Sequence, residues 1–339
     1  MQFPAPELFD LKASPSLRWG IMGPGGIAKV WVSAVQRFTN QKVTAVASRS
    51  ADRAQQFATE FAIPKIHHSY AELAADPDID AIYIASWQSD HFEHGMLCVE
   101  NGKPFLIEKP ITYTAEQARQ LLSAAKDAGL LAMEAMWTRY LPQASIIDQL
   151  VSSGELGQAE LLTASFATDN RSIPRLWAKG GGGVVHDMGI YPIAIAQQLL
   201  GNPKSVRASG ILSNNKIDAE AFVELSYESG ARANLVMSGI ASLPQTAHCS
   251  FEHAVLNIAE PFLAPSSMTL TDKEFYAKGI SWKDESDIQG HNGLCYPAVA
   301  FANYLTQGLL ESPVRSHQDT VSCIWVAEEI VRQLGAEPY

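Results

Sequence analysis

Three side chains in this sequence could together move a proton to or from a substrate hydroxyl: Lys109, Asp187 and Tyr191. Lys109 stands in Glu108-Lys109-Pro110, directly after the apolar triplet Phe105-Leu106-Ile107. A cation there sits at the carboxyl end of an expected parallel strand, where open α/β sheets bind ligands. Asp187 and Tyr191 lie in Gly180-Gly181-Gly182-Gly183-Val184-Val185-His186-Asp187-Met188-Gly189-Ile190-Tyr191. Four residues apart, they share one face of an expected helix. The glycine run would let backbone approach a ligand closely. A tyrosine can donate a proton, an aspartate can orient it and a lysine charge can tune it. Taken singly, each has a plainer reading: a surface lysine, or a buried tyrosine with a satisfied hydroxyl.

A second motif says what such a set would serve. Gly23-Pro24-Gly25-Gly26-Ile27-Ala28 follows the apolar run Leu17 to Met22, and a helical pattern begins at once. A strand, a tight glycine turn and a helix N-terminus form a pyrophosphate cradle. Gly23 permits the sharp turn, Gly25 lets backbone approach the phosphates, and Ala28 lets helix and strand pack closely. The second strand ends Ala47-Ser48-Arg49-Ser50, with no carboxylate at its tip for a ribose 2′-hydroxyl. Arg49 and the flanking hydroxyls suit a 2′-phosphate. The expected cofactor is therefore NADP. NAD is the alternative, with Asp52 reaching back to the ribose and Arg49 solvated.

The elements that must position these residues change character midway. Up to Trp137, strand and helix patterns alternate, with Ala81 to Ala85 a wholly apolar strand and Thr114 to Ala128 an amphipathic helix ended by Gly129. Such alternation argues for a parallel, doubly wound sheet. After the junction, long alternating runs appear at Gln158–Thr168, Val206–Leu212, Ala221–Tyr227, Ala231–Ile240 and Ala247–Ile258. Helical patterns fall at Val184–Leu200, Leu294–Leu310 and Gln318–Leu334. The expected fold is α/β: an N-terminal Rossmann domain over 16–137, then an α+β domain over 138–339 with a large, open, mostly antiparallel sheet. One helix layer covers one face of such a sheet. The other face predicts a homodimer or higher homo-oligomer, or else a monomer with a polar outer face.

Composition removes several classes. The net charge is -11 and no block of Lys or Arg forms a stripe, so no nucleic-acid partner is expected. No apolar run is long enough to span a bilayer, so no membrane partner is expected. Met1 to Glu7 has no basic and apolar leader pattern. Cys98, Cys249, Cys295 and Cys323 are scattered, which reads as reduced thiols of a cytoplasmic protein. His91-Phe92-Glu93-His94 lacks the spacing of a zinc-protease helix, and no metal is expected.

The ordered set of motifs resembles the glucose–fructose oxidoreductase / inositol dehydrogenase family, and within it the dimeric dihydrodiol dehydrogenase and NADP-dependent D-xylose dehydrogenase branch. It runs from about Leu17 to Gly335. Its marks are Gly-x-Gly-Gly-Ile-Ala, Glu-Lys-Pro and the glycine run with Asp-x-Gly-x-Tyr. Ser48-Arg49, Met133 to Arg139, Ile173-Pro174-Arg175 and Glu311-Ser312-Pro313 point to the branch. The resemblance implies cofactor contacts from Gly23, Gly25, Gly26, Ile27, Ala28, Ser48, Arg49, Ser86, His91, Glu108 and Lys109. It implies a cis Lys109–Pro110 bond and a Tyr191 that replaces the family's more usual His. Ser86-Trp87-Gln88 stands where the family often has Thr-Pro, so Trp87 is expected to narrow the nicotinamide side. The Ser250–Leu256 stretch lacks the family's Gly-x-x-Gly turn.

The expected reaction is hydride transfer between nicotinamide and a secondary alcohol or hemiacetal carbon of a sugar or cyclic diol. Tyr191 is the expected acid/base. A free phenol, of pKa about 10, ionises too little at neutral pH, and Lys109 would lower that value. Asp187 would hold a second substrate hydroxyl or the lysine. Trp137, Arg139 and Arg175 are candidate substrate-binding residues, with a junction core the other reading of Trp137. A non-catalytic NADP-binding regulator of the same fold is the competing class. A methyltransferase is a weaker one, since the second strand lacks the acid for an adenosine ribose.

Overall fold

A computed structural model describes residues 2–274 and 277–337. The alternating runs of the first half form six parallel strands: β1 (Arg18–Met22), β2 (Lys42–Ala47), β3 (Lys65–His67), β4 (Ala81–Ile84), β5 (Phe105–Ile107) and β6 (Ala132–Glu134), in the order β3-β2-β1-β4-β5-β6. A helix follows each of β1 to β5, and the central strands are buried apart from Arg18 at the start of β1. That is why they read as continuous apolar runs rather than alternating ones. The order reverses between β1 and β4, the switch point at which such sheets take ligands. Local chemistry sets the helix starts. Ser69 Oγ accepts from the Glu72 N–H at 3.1 Å while Glu72 Oε2 accepts from the His68 N–H at 2.9 Å, a reciprocal cap. Thr114 Oγ1 caps helix Ala115–Asp127 by accepting from the Gln117 N–H at 3.2 Å.

The chain divides into two compact units. One comprises Phe9–Tyr140 with Ile288–Val321; the other comprises the arm up to Leu8, Leu141–Asp287 and the stretch from Ser322 onward. The Rossmann unit is thus discontinuous. Its returning helix, Cys295–Thr306, brings Phe301 within 5.1 Å of Trp19, which meets Trp31 edge-on at 5.3 Å. A buried ion pair ties the same return to β6. Glu134 Oε2 accepts from Arg315 Nε at 3.0 Å, and Glu134 Oε1 accepts from the Ile111 N–H at 3.0 Å. Both side chains are almost wholly buried. Removing one partner of such a pair strands a charge in the interior. Arg315→Met is therefore expected to cost about 3–5 kcal/mol of stability, measured by urea unfolding. A loss under about 1 kcal/mol would show that the pair contributes little to holding the return.

The other unit carries eight strands: β7 (Ala159–Ala167), β8 (Ser205–Leu212), β9 (Asp218–Ser226), β10 (Arg232–Ser238), β11 (Ala247–Phe251), β12 (Val255–Ile258), β13 (Ser267–Thr271) and β14 (Gly279–Lys283). Their order is β14-β13-β12-β11-β7-β10-β9-β8, antiparallel except that β7 runs parallel to β10. The single run expected over Ala247–Ile258 is a hairpin: the Phe251 N–H bonds the Ala254 carbonyl at 2.8 Å, and the chain reverses. Leu162, Leu225, Leu235, Met237 and Leu256 form the inner face, which helix Ile190–Leu200 covers. The outer face exposes Leu161, Ile211 and Phe222 among Arg207, Thr163, Asn234 and His248. Among the described residues, no helix is long and apolar enough to cross a membrane.

Candidate active site

At the end of β1 the backbone turns through Gly23 at φ +94°. A Cβ there would lie 2.8 Å from the backbone of Ser86, so the β4 loop itself demands glycine. Gly25 and Gly26 stand differently: the nearest atom to a Cβ on Gly25 is 3.8 Å away, and on Gly26 there is nothing within 4 Å. They open helix Gly26–Phe38, which has no side-chain cap and no acid in its first turn. The first-turn N–H groups, those of Gly26, Ile27 and Ala28, lack intrahelical acceptors. An anion fits them, favoured by the helix dipole. The Ala28 side chain is itself fully buried.

Beside this turn lies a cleft to which Ser48, Arg49, Ser86 and Trp87 contribute with the glycines. Ser48 is buried, its Oγ accepting from the Ser50 N–H at 3.1 Å. Arg49 is 63% exposed and reaches Asp90 at 3.3 Å. Two further residues complete the wall, Arg53 and Tyr70. Tyr70 meets the His94 ring edge-on at 4.6 Å; His94 Nδ1 in turn lies 2.7 Å from Ser86 Oγ. Arg53 could have been read from the sequence, one helical turn after Arg49. Trp87, 47% exposed, lines this arginine-bearing cleft.

The Glu-Lys-Pro motif leaves β5 toward the same sheet edge, with Lys109–Pro110 cis. Glu108 is buried; the Tyr83 hydroxyl donates to one of its carboxylate oxygens and the Lys109 N–H to the other, at 3.2 Å. Burial pushes its carboxyl up to about 7, against the lowering effect of Tyr83 and of the Lys109 charge. His91 is also buried, and burial pulls its ring down to about 4, so it is neutral. Its Nδ1 donates to the Pro110 carbonyl at 2.8 Å, leaving Nε2 3.3 Å from the Ser86 carbonyl. His91 thus ties the helix after β4 to the Glu-Lys-Pro turn.

Trp137 and Arg139 follow β6, and both are buried. Arg139 donates to the Val314 carbonyl at 2.8 Å. The His291 ring lies over Trp137 at 5.6 Å and 32°. Burial, then the Lys109 charge, lowers the His291 pKa. His291 was not legible in the sequence, because 154 residues separate it from Trp137.

In the sheet unit, Arg175 and Asp187 come together: Nη2 and Oδ2 are 3.0 Å apart, and Arg175 Nη1 also donates to the Gly181 carbonyl at 3.3 Å. Asp187 sits in a π-helical turn, Val185–Gly189, which runs into helix Ile190–Leu200 at Tyr191. Such turns are frequent at functional sites. The Tyr191 ring is 8% exposed and packs on Phe166 at 5.8 Å. The glycine run serves a different need from the one expected. A Cβ on Gly181 would meet the Arg175 carbonyl at 1.8 Å, and one on Gly183 the Asp218 carboxylate at 2.1 Å. At these two positions glycine is demanded by the protein's own packing. Among the described residues, no group of three His, Cys, Asp or Glu side chains could hold a metal ion.

A glycine turn on β1, an uncapped helix start and a strand order that reverses at β1/β4 define a dinucleotide-binding enzyme fold. Residues 17–136 match an oxidoreductase family with an NAD-binding Rossmann fold, and residues 146–254 match the GFO/IDH/MocA C-terminal domain. The trans-1,2-dihydrobenzene-1,2-diol dehydrogenase of Xenopus laevis is 32% identical over 324 residues, covering 94% of this chain and 98% of its own. That of Mus musculus is 30% identical over 327 residues, covering 94% and 97%. A levoglucosan dehydrogenase solved with NADH and levoglucosan shares the fold at a TM-score of 0.83, with 18% identity over 94% of this chain and 97% of its own. KijD10, a 3-ketoreductase of Actinomadura kijaniata solved with TDP-benzene and NADP, gives 0.76 with 24% identity over 95% and 98%. The chain belongs to the GFO/IDH/MocA oxidoreductase family.

Proposed function

We propose that this protein is an NADP-preferring dehydrogenase acting on a CH–OH carbon of a sugar or cyclic diol. The observation that carries the cofactor choice is the pairing of Arg49 with Arg53 on the cleft beside an uncapped helix N-terminus. Two guanidinium groups suit a dianionic 2′-phosphate. When bound, the nicotinamide serves as hydride acceptor. Lys109 holds the substrate oxygen and its charge favours the alkoxide as the proton leaves. Tyr191 takes that proton, and Asp187, oriented by Arg175, holds a neighbouring hydroxyl. Ser86 and His91 keep the β4 loop and the Glu-Lys-Pro turn in register. Trp137 and Arg139, both buried, support the substrate side from beneath rather than touching it. The substrate class follows the relatives, which act on a cyclic diol or were solved with an anhydro-sugar.

Two domains of about 16–137 and 138–339 describe the functional division, with 288–321 returning to complete the first. Four buried free thiols fit a cytoplasmic protein. The apolar residues on the outer sheet face fit a homodimer through that face. The cofactor claim is tested by titrating NADPH and NADH into wild type and an Arg49→Ala, Arg53→Ala double variant. Loss of two charged hydrogen-bonding groups is expected to weaken NADPH by about 100-fold. NADH affinity is expected to stay unchanged. Equal effects on both nucleotides, or none, would reject the 2′-phosphate role.

A further inference from the structure

One buried carboxylate fixes how the segment bearing Asp187 and Tyr191 begins. Asp218, the first residue of β9, is 0% exposed. Its Oδ2 accepts from the Val185 N–H at 2.6 Å. This is one of the donors that a helical start leaves without partners. Gly183 lies against the same group at φ +63°, where a Cβ would come 2.1 Å from Asp218 Oδ1. At the far end of the π-helical turn, a Cβ on Gly189 would come 2.3 Å from the Met237 sulfur on β10. The turn carrying Asp187 is therefore held at one end by Asp218 and pressed onto Met237 at the other. An ordinary cap needs only an uncharged oxygen, such as Ser or Asn provides. A fully buried carboxylate is a costly way to make one. Burial pushes its carboxyl up to about 6.

We propose that Asp218 is a positioning residue for the reaction: its carboxylate clamps the Gly183–Val185 turn and so sets where Asp187 and Tyr191 stand. This rests on the roles given above to Asp187 and Tyr191. The clamp and those roles fail in different ways. The test compares full-length wild type, Asp218→Asn, Asp218→Ala, Gly183→Ala and the Asp218→Ala, Gly183→Ala double variant. Rates with NADP and trans-1,2-dihydrobenzene-1,2-diol, levoglucosan or D-xylose are normalised to sites titrated with NADPH. Asp218→Asn is expected to lower kcat about 10-fold and Asp218→Ala about 100-fold, the scale of a misplacement near 1 Å. The KM for NADP is expected to stay within about twofold, since its phosphate cradle is built by other residues. Gly183→Ala should lower kcat alone and cost less once the carboxylate is gone, because the clash with Asp218 is then removed and only the strain of a left-handed backbone at φ +63° remains.

Amide exchange over 180–191 reads the clamp independently of turnover, and faster exchange at Val185 is expected in both Asp218 variants. Wild type with kcat preserved in Asp218→Ala per titrated site would overturn the positioning role. So would additive losses in the double variant, the mark of general destabilisation. If wild type turns over none of the three probes, the catalytic reading is what fails. The exchange arm then decides the clamp alone: lost protection supports it, and unchanged protection overturns it.

Discussion

Lys109→Met is expected to reduce turnover by about 10³-fold while leaving NADPH affinity within about threefold. Methionine keeps most of the unbranched stem and removes only the charge and its donors. The charge matters because it favours the substrate oxygen once that oxygen has lost its proton. Its neighbour Glu108 cancels it only in part. Burial lifts the Glu108 carboxyl to about 7, so at neutral pH a substantial share of Glu108 is protonated. Nucleotide affinity should survive, because the phosphate donors lie elsewhere, on the first turn of helix Gly26–Phe38 and on Arg49 and Arg53. Steady-state rates beside an NADPH fluorescence titration check both halves. A variant with more than a tenth of wild-type kcat would remove Lys109 from the chemistry. A variant that no longer binds NADPH would make it a cofactor residue instead.

Tyr191→Phe should lower kcat by about 10²–10⁴-fold, the range for removing a positioned acid/base. The ring packs on Phe166 and is 8% exposed, so phenylalanine preserves the packing and deletes only the hydroxyl. Stability is expected to change by less than about 1 kcal/mol. The decisive reading is the pH profile of kcat/KM. The limb that reports the ionising acid/base should disappear in Tyr191→Phe rather than move. If the limb persists with the rate little changed, another group carries the proton. His291 is then the next candidate, exposed beside Trp137 and within the field of Lys109.

The parts of this molecule that could be read beforehand are those written in local pattern. The Rossmann half repeats strand and helix, and its caps, Ser50, Ser69 and Thr114, are visible in the chain itself. The glycine turn and the Glu-Lys-Pro motif carry their own context on either side. Three short strands escaped. β3 has three residues directly after Pro64, β13 is a five-residue strand between β12 and β14, and β14 is a five-residue edge strand paired only with β13. Where residues 288–321 pack was equally hidden, because an amphipathic pattern says which face is buried but not against what. The same limit explains the site. Lys109, Asp187 and Tyr191 lie in motifs, whereas Asp218 and His291 act through neighbours far along the chain. Trp137 and Arg139 looked like pocket residues by type, and the fold buries both. Gly181 and Gly183 looked shaped for a ligand, and are shaped for Arg175 and Asp218.

The most direct test mixes purified protein with NADP and, separately, with NAD. Absorbance at the reduced-nicotinamide band is then followed across aldoses, anhydro-sugars, polyols and trans-dihydrodiols. The expected result is reduction of NADP, faster than of NAD, with one sugar or diol class. Tight NADPH binding with no reduction by any member would contradict the dehydrogenase and favour a nucleotide-sensing role for this fold. No nucleotide binding at all would contradict the reading of the cleft at Gly23, Arg49 and Arg53.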